Sequence, residues 1–516
     1  MTRSSSRPRV VIVGAGPVGV TAALLLSRRG VESTVLERHS APYPLPRAVH
    51  ADDEVVRILQ AVGAADGFLR VSRPMPGMRL VDAEHRVMAE FDRGSTQGRN
   101  GFPEASMFDQ PDLEAVLLDL AERDERIDLR RGCEVTSVVA PGPGRVTVTV
   151  AAEDAIEHLV ADAVLGCDGA NSMVREHIGA SMRDLHFEER WFVVDVRTAR
   201  DLHMWPGVHQ ICDPARPATA MNVTGRRYRW EFRMAPGETA ADLAEPARLA
   251  ELLSPWIDAT DFDDCEIIRH AEYTFRARVA DRWRRGRVLI AGDAAHQTPP
   301  FIGQGLGAGL RDAQNLAWKL ADVLTGVSDD SVLDTYEAER IPHVTAVVRM
   351  AVTVGWVLTG GQDGAARVRR AAIGAVCRIP GVSRAVLSVA SPPLAATQLV
   401  DRRGLLHRVN GTLCPQGPSG DGRRFDDTVG GGHLLLTRGP LPAGCDVPAG
   451  ADHLDVSQGC APEIDAWLRK HRVAAVLVRP DHIVRASCRR LSDVPAMLSR
   501  CDDIGSRPAV PTQAAS

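Results

Sequence analysis

The sequence predicts an α/β fold built on a parallel sheet, and three observations predict it. Val10 to Val13 is an unbroken β-branched run that passes directly into Gly14-Ala15-Gly16-Pro17-Val18-Gly19 and then into an apolar helix pattern. Ala163 to Gly166 and Val288 to Ala291 are two further continuous apolar runs, each followed within two residues by an aspartate, Asp168 and Asp293. Unbroken rather than alternating runs suit strands covered on both faces, which are the parallel strands between helix layers.

In the first unit Gly30 closes the helix, Ser33 to Leu36 reads as a second strand, and Glu37 stands at its carboxyl end. Gly14 permits the tight turn, Gly16 lets a pyrophosphate approach the backbone, and Gly19 lets helix and strand pack closely. The helix that starts at Pro17 offers free N–H groups and a positive dipole end to phosphates. Glu37 lies 21 residues after Gly16, where an acid accepts from ribose hydroxyls. Together these form a dinucleotide fingerprint. Arg3, Arg7 and Arg9 resemble the start of a signal peptide, but the glycines break the apolar core and Arg28-Arg29 follow at once. Residues 1–8 are read as a frayed leader.

Beyond Glu37, Asp52-Asp53 starts a helix reaching about Val62, and Gly77 to Phe91 alternates as strands do. Pro111 sits in the first turn of a helix over Leu113 to Ala121. Cys133 to Val139 and Val146 to Val150 form an antiparallel pair. Short strands are expected from Trp191 to Phe275, with one helix around Asp242 to Leu253. A long helix is expected from Gly309 to Leu324 and another from Ser331 to Arg340. Residues 345–400 read as helical, Leu413 to Arg438 as a glycine- and proline-rich connection, and Ala474 to Val478 with Ile483 to Ala486 as a strand pair.

Composition excludes several classes. Net charge is −5, which gives no general affinity for nucleic acid or anionic membrane. Ten cysteines are scattered without a CxxC pair or zinc-ligand spacing, so no metal site is expected and the thiols suit a reducing cytoplasm. No apolar run reaches the roughly 18 residues that span a bilayer.

Three separated motifs converge on one ligand. To the fingerprint are added Cys167-Asp168-Gly169-Ala170-Asn171-Ser172 and Gly292-Asp293-Ala294-Ala295-His296, the latter followed by Pro299-Pro300 and Gly303-Gln304-Gly305-Leu306-Gly307. This trio resembles the class A flavoprotein aromatic monooxygenases, which share the para-hydroxybenzoate hydroxylase fold. Within that class the chain is most similar to 3-(3-hydroxyphenyl)propionate hydroxylases and their antibiotic-pathway relatives. The stretches "PRAVHADDE" at Pro46 to Glu54, "DQPDLEAVL" at Asp109 to Leu117, "RWFVVDV" at Arg190 to Val196 and "TYEAERIPH" at Thr335 to His343 extend the resemblance over nearly the whole chain.

The resemblance implies a Rossmann-like FAD-binding domain of the GR2 type, an inserted β-sheet substrate domain and a C-terminal thioredoxin-like domain. The FAD-binding segments are 1–75, 106–180 and 276–345, with substrate-domain strands at 76–105 and 181–275. A helical middle region at 346–409, the thioredoxin-like domain at 410–501 and a disordered tail at 502–516 complete the chain. FAD is expected to be noncovalent. Gly14, Gly16, Pro17, Gly19, Glu37 and Arg38 would hold its ADP half, Arg47 and Gln110 would sit near its pyrophosphate and ribityl chain, Asp168 near the cofactor and the nicotinamide route, and Asp293 on the ribityl. Pro300, Gly303, Gly305, Leu306 and Gly307 would line its ring; relatives often carry Asn at Gly307, in what reads as a loop. His50, His296 and Pro299 are the catalytic candidates; for His296 a hydrogen-bonded structural imidazole is an equal alternative, and for His50 a surface or pocket-lining place outweighs the catalytic reading. Trp191, His209, Gln210, Met221, Tyr228, Trp230, Phe232 and Phe301 are the expected substrate pocket.

The implied reaction takes electrons from a transiently bound NAD(P)H, adds O₂ at the flavin C4a position, and passes one oxygen to a phenolic ring. Oxygen insertion or epoxidation of a polyketide, and inactivating hydroxylation of an aromatic antibiotic, stay open inside the same fold. A flavin reductase that inserts no oxygen and a noncatalytic FAD-binding protein are the readings outside it. The resemblance also implies a cytoplasmic homodimer.

Overall fold

The three apolar runs lie side by side in one sheet. Its order is Arg284–Arg285, Val288–Ile290, Ala163–Gly166, Arg9–Val13, Glu32–Glu37 and Ile127–Arg131, parallel except for the two-residue edge. The computed structural model describes residues 9–45, 47–93, 97–142, 144–153, 155–359, 391–402, 408–419 and 422–501. The expected leader at 1–8, the 360–390 part of the helical middle region and the tail at 502–516 lie outside them. Val13 pairs with Gly166 and Gly166 with Ile290, so the carboxyl ends of the three strands finish level on one edge. Helix Pro17–Ser27 covers the sheet and packs on helix Gly305–Leu324.

A second, eight-stranded sheet runs in the order His296–Gln297, Cys265–Ala280, Met182–Thr198, Arg227–Arg233, Ala218–Asn222, Val208–Ile211, Gly77–Val81 and Val87–Asp92. Two of these strands correct the expectation of short ones, since Met182–Thr198 has 17 residues and Cys265–Ala280 has 16. They are long because each serves two cores. Met182, Leu185 and Phe187 pack on the core of the parallel sheet, whereas Phe192, Val194 and Val196 belong to the core under helix Pro246–Leu253.

Other boundaries shift for local reasons. The expected helix at 242–253 is two helices, Ala240–Ala244 and Pro246–Leu253, because Pro246 forces Glu245 out of helical geometry to ψ 129°. The helix expected from Gly309 begins at Gly305, one turn earlier, so Gly307 is helical rather than in a loop. The helix expected at 331–340 starts as a 3₁₀ turn and then runs Asp334–Thr359 through Pro342. Burial of Val344, Val347, Val348 and Ala351 on one stripe outweighs the bond the proline removes.

The described residues of the stretch Leu413 to Arg438, read as a connection, form a seam packed on the parallel-sheet domain and lead into strand His433–Thr437. Arg57 donates to Asp426 through Nε at 2.6 Å and Nη2 at 2.9 Å, and Gln416 Nε2 donates to Asn100 O at 2.8 Å. Glycine and proline mark irregular chain; they do not tell packed chain from free chain. The C-terminal sheet has the order Ala451–Asp455, His433–Thr437, Ala475–Val478, Val484–Cys488, its first pair parallel and the others antiparallel.

Buried charges hold this C-terminal unit on the parallel-sheet domain. Glu339 accepts from Arg479 Nη1 at 2.8 Å, Arg479 Nη2 at 2.9 Å and Lys319 Nζ at 2.8 Å, all three side chains being inaccessible to solvent. Burial pulls the Lys319 ammonium down to about 8 against the pull of Glu339. Burial works against the Glu339 carboxylate, but Arg479 and Lys319 outweigh it and hold that carboxyl well below the usual range. Replacing Arg479 by Met strands Glu339 and Asp481 without their main partner, and should cost about 3–5 kcal/mol in denaturant unfolding. Because the folded-state affinity of Glu339 for a proton is depressed, its contribution is complete above the ordinary glutamate range. Wild-type stability should therefore fall as pH drops below about 4, and acid titration of the melting temperature checks this.

Candidate functional site

The carboxyl edge of the parallel sheet gathers the three motifs. Gly14 turns at φ 104°, donates to Leu36 O at 2.7 Å, and abuts Cys167 O so closely that a Cβ would collide with it. Gly16 is different: its backbone is extended, and no atom lies within 4 Å of where a Cβ would stand. That open space is a cradle at the head of helix Pro17–Ser27, whose first turn has no side-chain cap and no acidic residue. Uncapped first-turn N–H groups with an unopposed dipole suit a phosphate. A Cβ at Gly19 would meet Gly14 O, so helix and turn close on each other. Glu37 accepts from Ala15 N and His39 N, both at 3.0 Å, one on each carboxylate oxygen. Each oxygen retains a lone pair for a hydroxyl donor. Arg38 is exposed beside it.

Asp168 is engaged locally. It accepts from Ser172 Oγ at 2.6 Å and Val174 N at 3.1 Å, holding the turn that caps helix Met173–His177. Arg175 then donates to Ala294 O at 3.1 Å and ties the second motif to the third. Asp293 is exposed on the 3₁₀ turn Gly292–Ala294, and the protein packed round it raises its carboxyl above the usual range, against the pull of His296 and Arg47. Gln110 accepts from Ala48 N at 2.7 Å and so pins the Arg47 loop, leaving the Arg47 side chain exposed. Cradle, acid and exposed cation lie along one edge, and the donor set fits a noncovalent dinucleotide.

Next to this edge, between it and the eight-stranded sheet, lies a cavity of about 980 Å³. Trp191 and Phe301 meet edge to face in its wall, with ring centroids 5.9 Å apart, and Met221, Gln210, Pro300, Gly303, Gly305 and Leu306 also line it. Four expected pocket residues do not. Tyr228, Trp230 and Phe232 point to the opposite face, into the core beneath helix Pro246–Leu253. His209 stacks on Trp205 at 5.8 Å, on the side away from its neighbours Val208 and Gln210. The reason is the strand period of two: the cavity receives Arg229 and Glu231, the residues between the aromatics. Sequence reasoning missed Arg229 and Glu231 because aromatics look more like pocket than charges do. The only available signal was their alternation.

The catalytic candidates separate as well. His296 is buried away from the cavity, its Nε2 2.8 Å from Asp312 Oδ2 and its ring stacked on Trp283. Asp312 also accepts from Arg340 Nε at 2.8 Å, so His296 belongs to a structural charge network. Pro299 is buried too, and its neighbours Thr298 and Pro300 reach the cavity instead. His50 does line the cavity. Burial first, then Arg93, lowers its imidazole to about 4, so it is neutral at physiological pH, and its Nδ1 lies 3.3 Å from Gly303 O. Gly303 adopts φ 63°, and a Cβ there would press on His50 Nδ1 at 2.7 Å. Behind Gly307 stands Arg311, 2.8 Å from where a Cβ would be. Arg311 pairs with Asp52 at 2.6 Å and Glu54 at 2.8 Å, which gives the missing side chain at position 307 a packing reason.

Gly16→Val fills the cradle without touching protein. Apo-protein stability should stay within about 0.5 kcal/mol, while flavin retained through purification, read by visible absorbance, should fall at least tenfold.

Comparisons with known proteins agree with this geometry. Residues 7–351 match the FAD binding domain family. Over 98% of its length the chain is 34% identical to a probable NADH-specific resorcinol 4-hydroxylase of Rhodococcus jostii (strain RHA1), covering 97% of that protein. It is also 34% identical, over 93% of its length and 94% of the relative, to a 3-(3-hydroxy-phenyl)propionate/3-hydroxycinnamic acid hydroxylase of Burkholderia cenocepacia (strain HI2424). Among solved structures, the OxyS anhydrotetracycline hydroxylase from Streptomyces rimosus aligns with a TM-score of 0.78 at 25% identity, covering 98% of this chain and all of that one. Aklavinone-11 hydroxylase, in a ternary complex with FAD and aklavinone, aligns with a TM-score of 0.79 at 26% identity over the same shares. The chain belongs to the FAD-binding class A aromatic monooxygenases.

Proposed function

We propose that the protein hydroxylates a phenolic ring held in the 980 Å³ cavity, consuming NAD(P)H and O₂. The observation that carries this reading is the placement of that cavity. It opens from the dinucleotide edge of the parallel sheet, and its walls are apolar where Trp191, Phe301, Met221 and Leu80 stand. When bound, FAD supplies the electron transfer from NAD(P)H to O₂ and the delivery of one oxygen atom. The chain's own residues bind and orient. Gly14, Gly16, Pro17, Gly19, Glu37 and Arg38 would hold the ADP half, Arg47, Gln110 and Asp293 the middle of the cofactor, and Pro300 to Gly307 its ring. Asp168 would act through the turn it holds.

Apolar walls also exclude water, which protects a reactive oxygen donor from wasteful breakdown and strengthens every polar contact to the substrate. His50, neutral at physiological pH, is suited to hydrogen bonding rather than to carrying charge. A polycyclic phenol is the second reading; the likeness to the anhydrotetracycline hydroxylase and to aklavinone-11 hydroxylase over nearly the whole chain favours it. Nine described cysteines are free thiols, which fits an enzyme working in the cytoplasm. Among the described residues no helix is long and apolar enough to cross a membrane.

The test is NAD(P)H oxidation by the FAD-loaded protein against resorcinol, hydroxyphenylpropionates and polycyclic phenols, with product mass recorded. A compound that accelerates oxidation at least tenfold and gains one oxygen is the expected result. Acceleration with no oxygenated product from any compound would replace this reading with that of a flavin reductase.

A further inference from the structure

Among the described residues, five carboxylates face the cavity: Asp52, Asp53, Glu54, Glu104 and Glu231. Four are committed or peripheral. Asp52 accepts from Arg311, Gln304 and Val55 N, and Asp53 from Asn100 N. Glu54 accepts from Ser391 and pairs with Arg311, and Glu104 is exposed. Glu231 is unlike these. Among the described residues it receives no hydrogen bond, and its nearest cation, Arg229 Nη1, is 3.9 Å away. Arg229 donates instead to Asp195, at 2.9 and 3.2 Å, and to Arg47 O at 2.6 Å.

Strand pairing places Glu231 on a single rung with Leu80, Gln210, Thr219 and Val193. Gln210 donates to Ala218 O at 2.9 Å and accepts from Thr219 Oγ1 at 3.2 Å, so those two polar groups satisfy one another. Leu80 and Val193 are apolar. The rung therefore presents one uncommitted acceptor, a carboxylate only 13% exposed, between hydrophobic ends. Leaving a carboxylate so placed without a donor is costly, and a ligand hydroxyl removes that cost.

We propose that Glu231 is the residue that receives the substrate's phenolic hydroxyl, accepting its hydrogen bond on binding and its proton as the ring gains oxygen. This rests on the hydroxylase reading above. As a ring carbon's π pair forms the new C–O bond, the O–O bond of the oxygen donor that FAD would supply breaks and its electron pair leaves with the oxygen the donor keeps; the phenolic O–H bond breaks with it, its electron pair forms a C=O bond to the ring, and the proton moves to Glu231. The hydrogen on the newly oxygenated carbon then leaves as a proton to solvent, its C–H electron pair restores aromaticity, and Glu231 returns its proton to the first oxygen. An unperturbed phenol titrates near 10, far above a carboxylate. The hydroxyl becomes strongly acidic only as the ring gives up electrons, which is when a carboxylate suffices. Three charged groups face Glu231: Arg229 on its own strand, Asp195 on Met182–Thr198 and Arg269 on Cys265–Ala280. Burial outweighs the arginines and raises the Glu231 carboxyl. Product formation should thus rise with pH through that titration.

The test compares FAD-loaded wild type, Glu231→Gln and Glu231→Asp, with resorcinol as first probe and any phenol that wild type oxygenates as the second. Wild type forming no oxygenated product would overturn the hydroxylase reading, and this assignment with it. If wild type is active, Glu231→Gln should keep its FAD and hold KM within about threefold, since the amide oxygen still accepts. Its kcat for product should drop on the order of 100-fold, and the rise with pH should vanish. Glu231→Asp should recover part of the rate and the pH dependence. Wild-type kcat and pH profile in Glu231→Gln would overturn the role of Glu231 and leave the hydroxylase reading standing. Should Glu231→Gln fail to hold FAD, Glu231→Asp decides: a reduced kcat with a displaced profile supports the role, and an unchanged profile and rate overturn it.

Discussion

The level pairing of Val13, Gly166 and Ile290 is the constraint from which the rest of the molecule follows. Parallel strands in register end together, and the chain must then turn away from three adjacent positions at once. Crowding is the result. Gly14 presses against Cys167 O and Gly19 against Gly14 O, so those positions admit no side chain. Gly16 escapes the crowding and leaves the open cradle. The same edge carries the exposed Asp293, and Arg175 on the second motif reaches Ala294 on the third. A ligand that spans these turns meets backbone N–H groups first and side chains second, as expected for a cofactor bound without covalent attachment.

The long paired strands Met182–Thr198 and Cys265–Ala280 carry this edge into the second sheet. One end of each is built into the parallel-sheet domain and the other into the second core, so the cavity between them has a stiff wall. Along that wall the two faces do different work. Tyr228, Trp230 and Phe232 turn outward and hold the helical cover, while Arg229 and Glu231 turn inward. Asp195, fully buried, neutralises Arg229 and lies near Arg227 and Arg269 as well. The charge on the cavity face is arranged by this buried aspartate, which leaves Glu231 the uncommitted one among the cavity-facing carboxylates of the described residues.

Buried charges also explain how distant pieces of chain are joined. Glu339 with Arg479 and Lys319, Arg57 with Asp426, and Arg311 with Asp52 and Glu54 each unite segments far apart in sequence. Such clusters are demanding, since each member depends on its partners once water is excluded. They add geometric definition where apolar contact alone would tolerate sliding. Arg311 shows the reach of this effect: held by Asp52 and Glu54, its guanidinium stands 2.8 Å from where a Cβ at Gly307 would be, so a side chain there would have to displace it.

The sequence by itself determined the parallel sheet, the cofactor class and the family. Unbroken apolar runs, glycines at fixed spacing and acids at strand ends are local patterns whose physical meaning survives without coordinates. It identified Trp191, Gln210, Met221 and Phe301, all of which reach the cavity, but by residue type rather than by facing. Only the tertiary structure decided which side of each strand looks inward, because a period of two assigns alternate residues to opposite faces without saying which face is which. That ambiguity sent Tyr228, Trp230 and Phe232 to the wrong side and hid Glu231. The structure likewise decided that His296 is held by Asp312, that residues 414–419 and 422–427 pack as a seam, and that helix Asp334–Thr359 continues past Pro342. Each of these outcomes depends on a partner from a distant part of the chain, and no local pattern contains that partner.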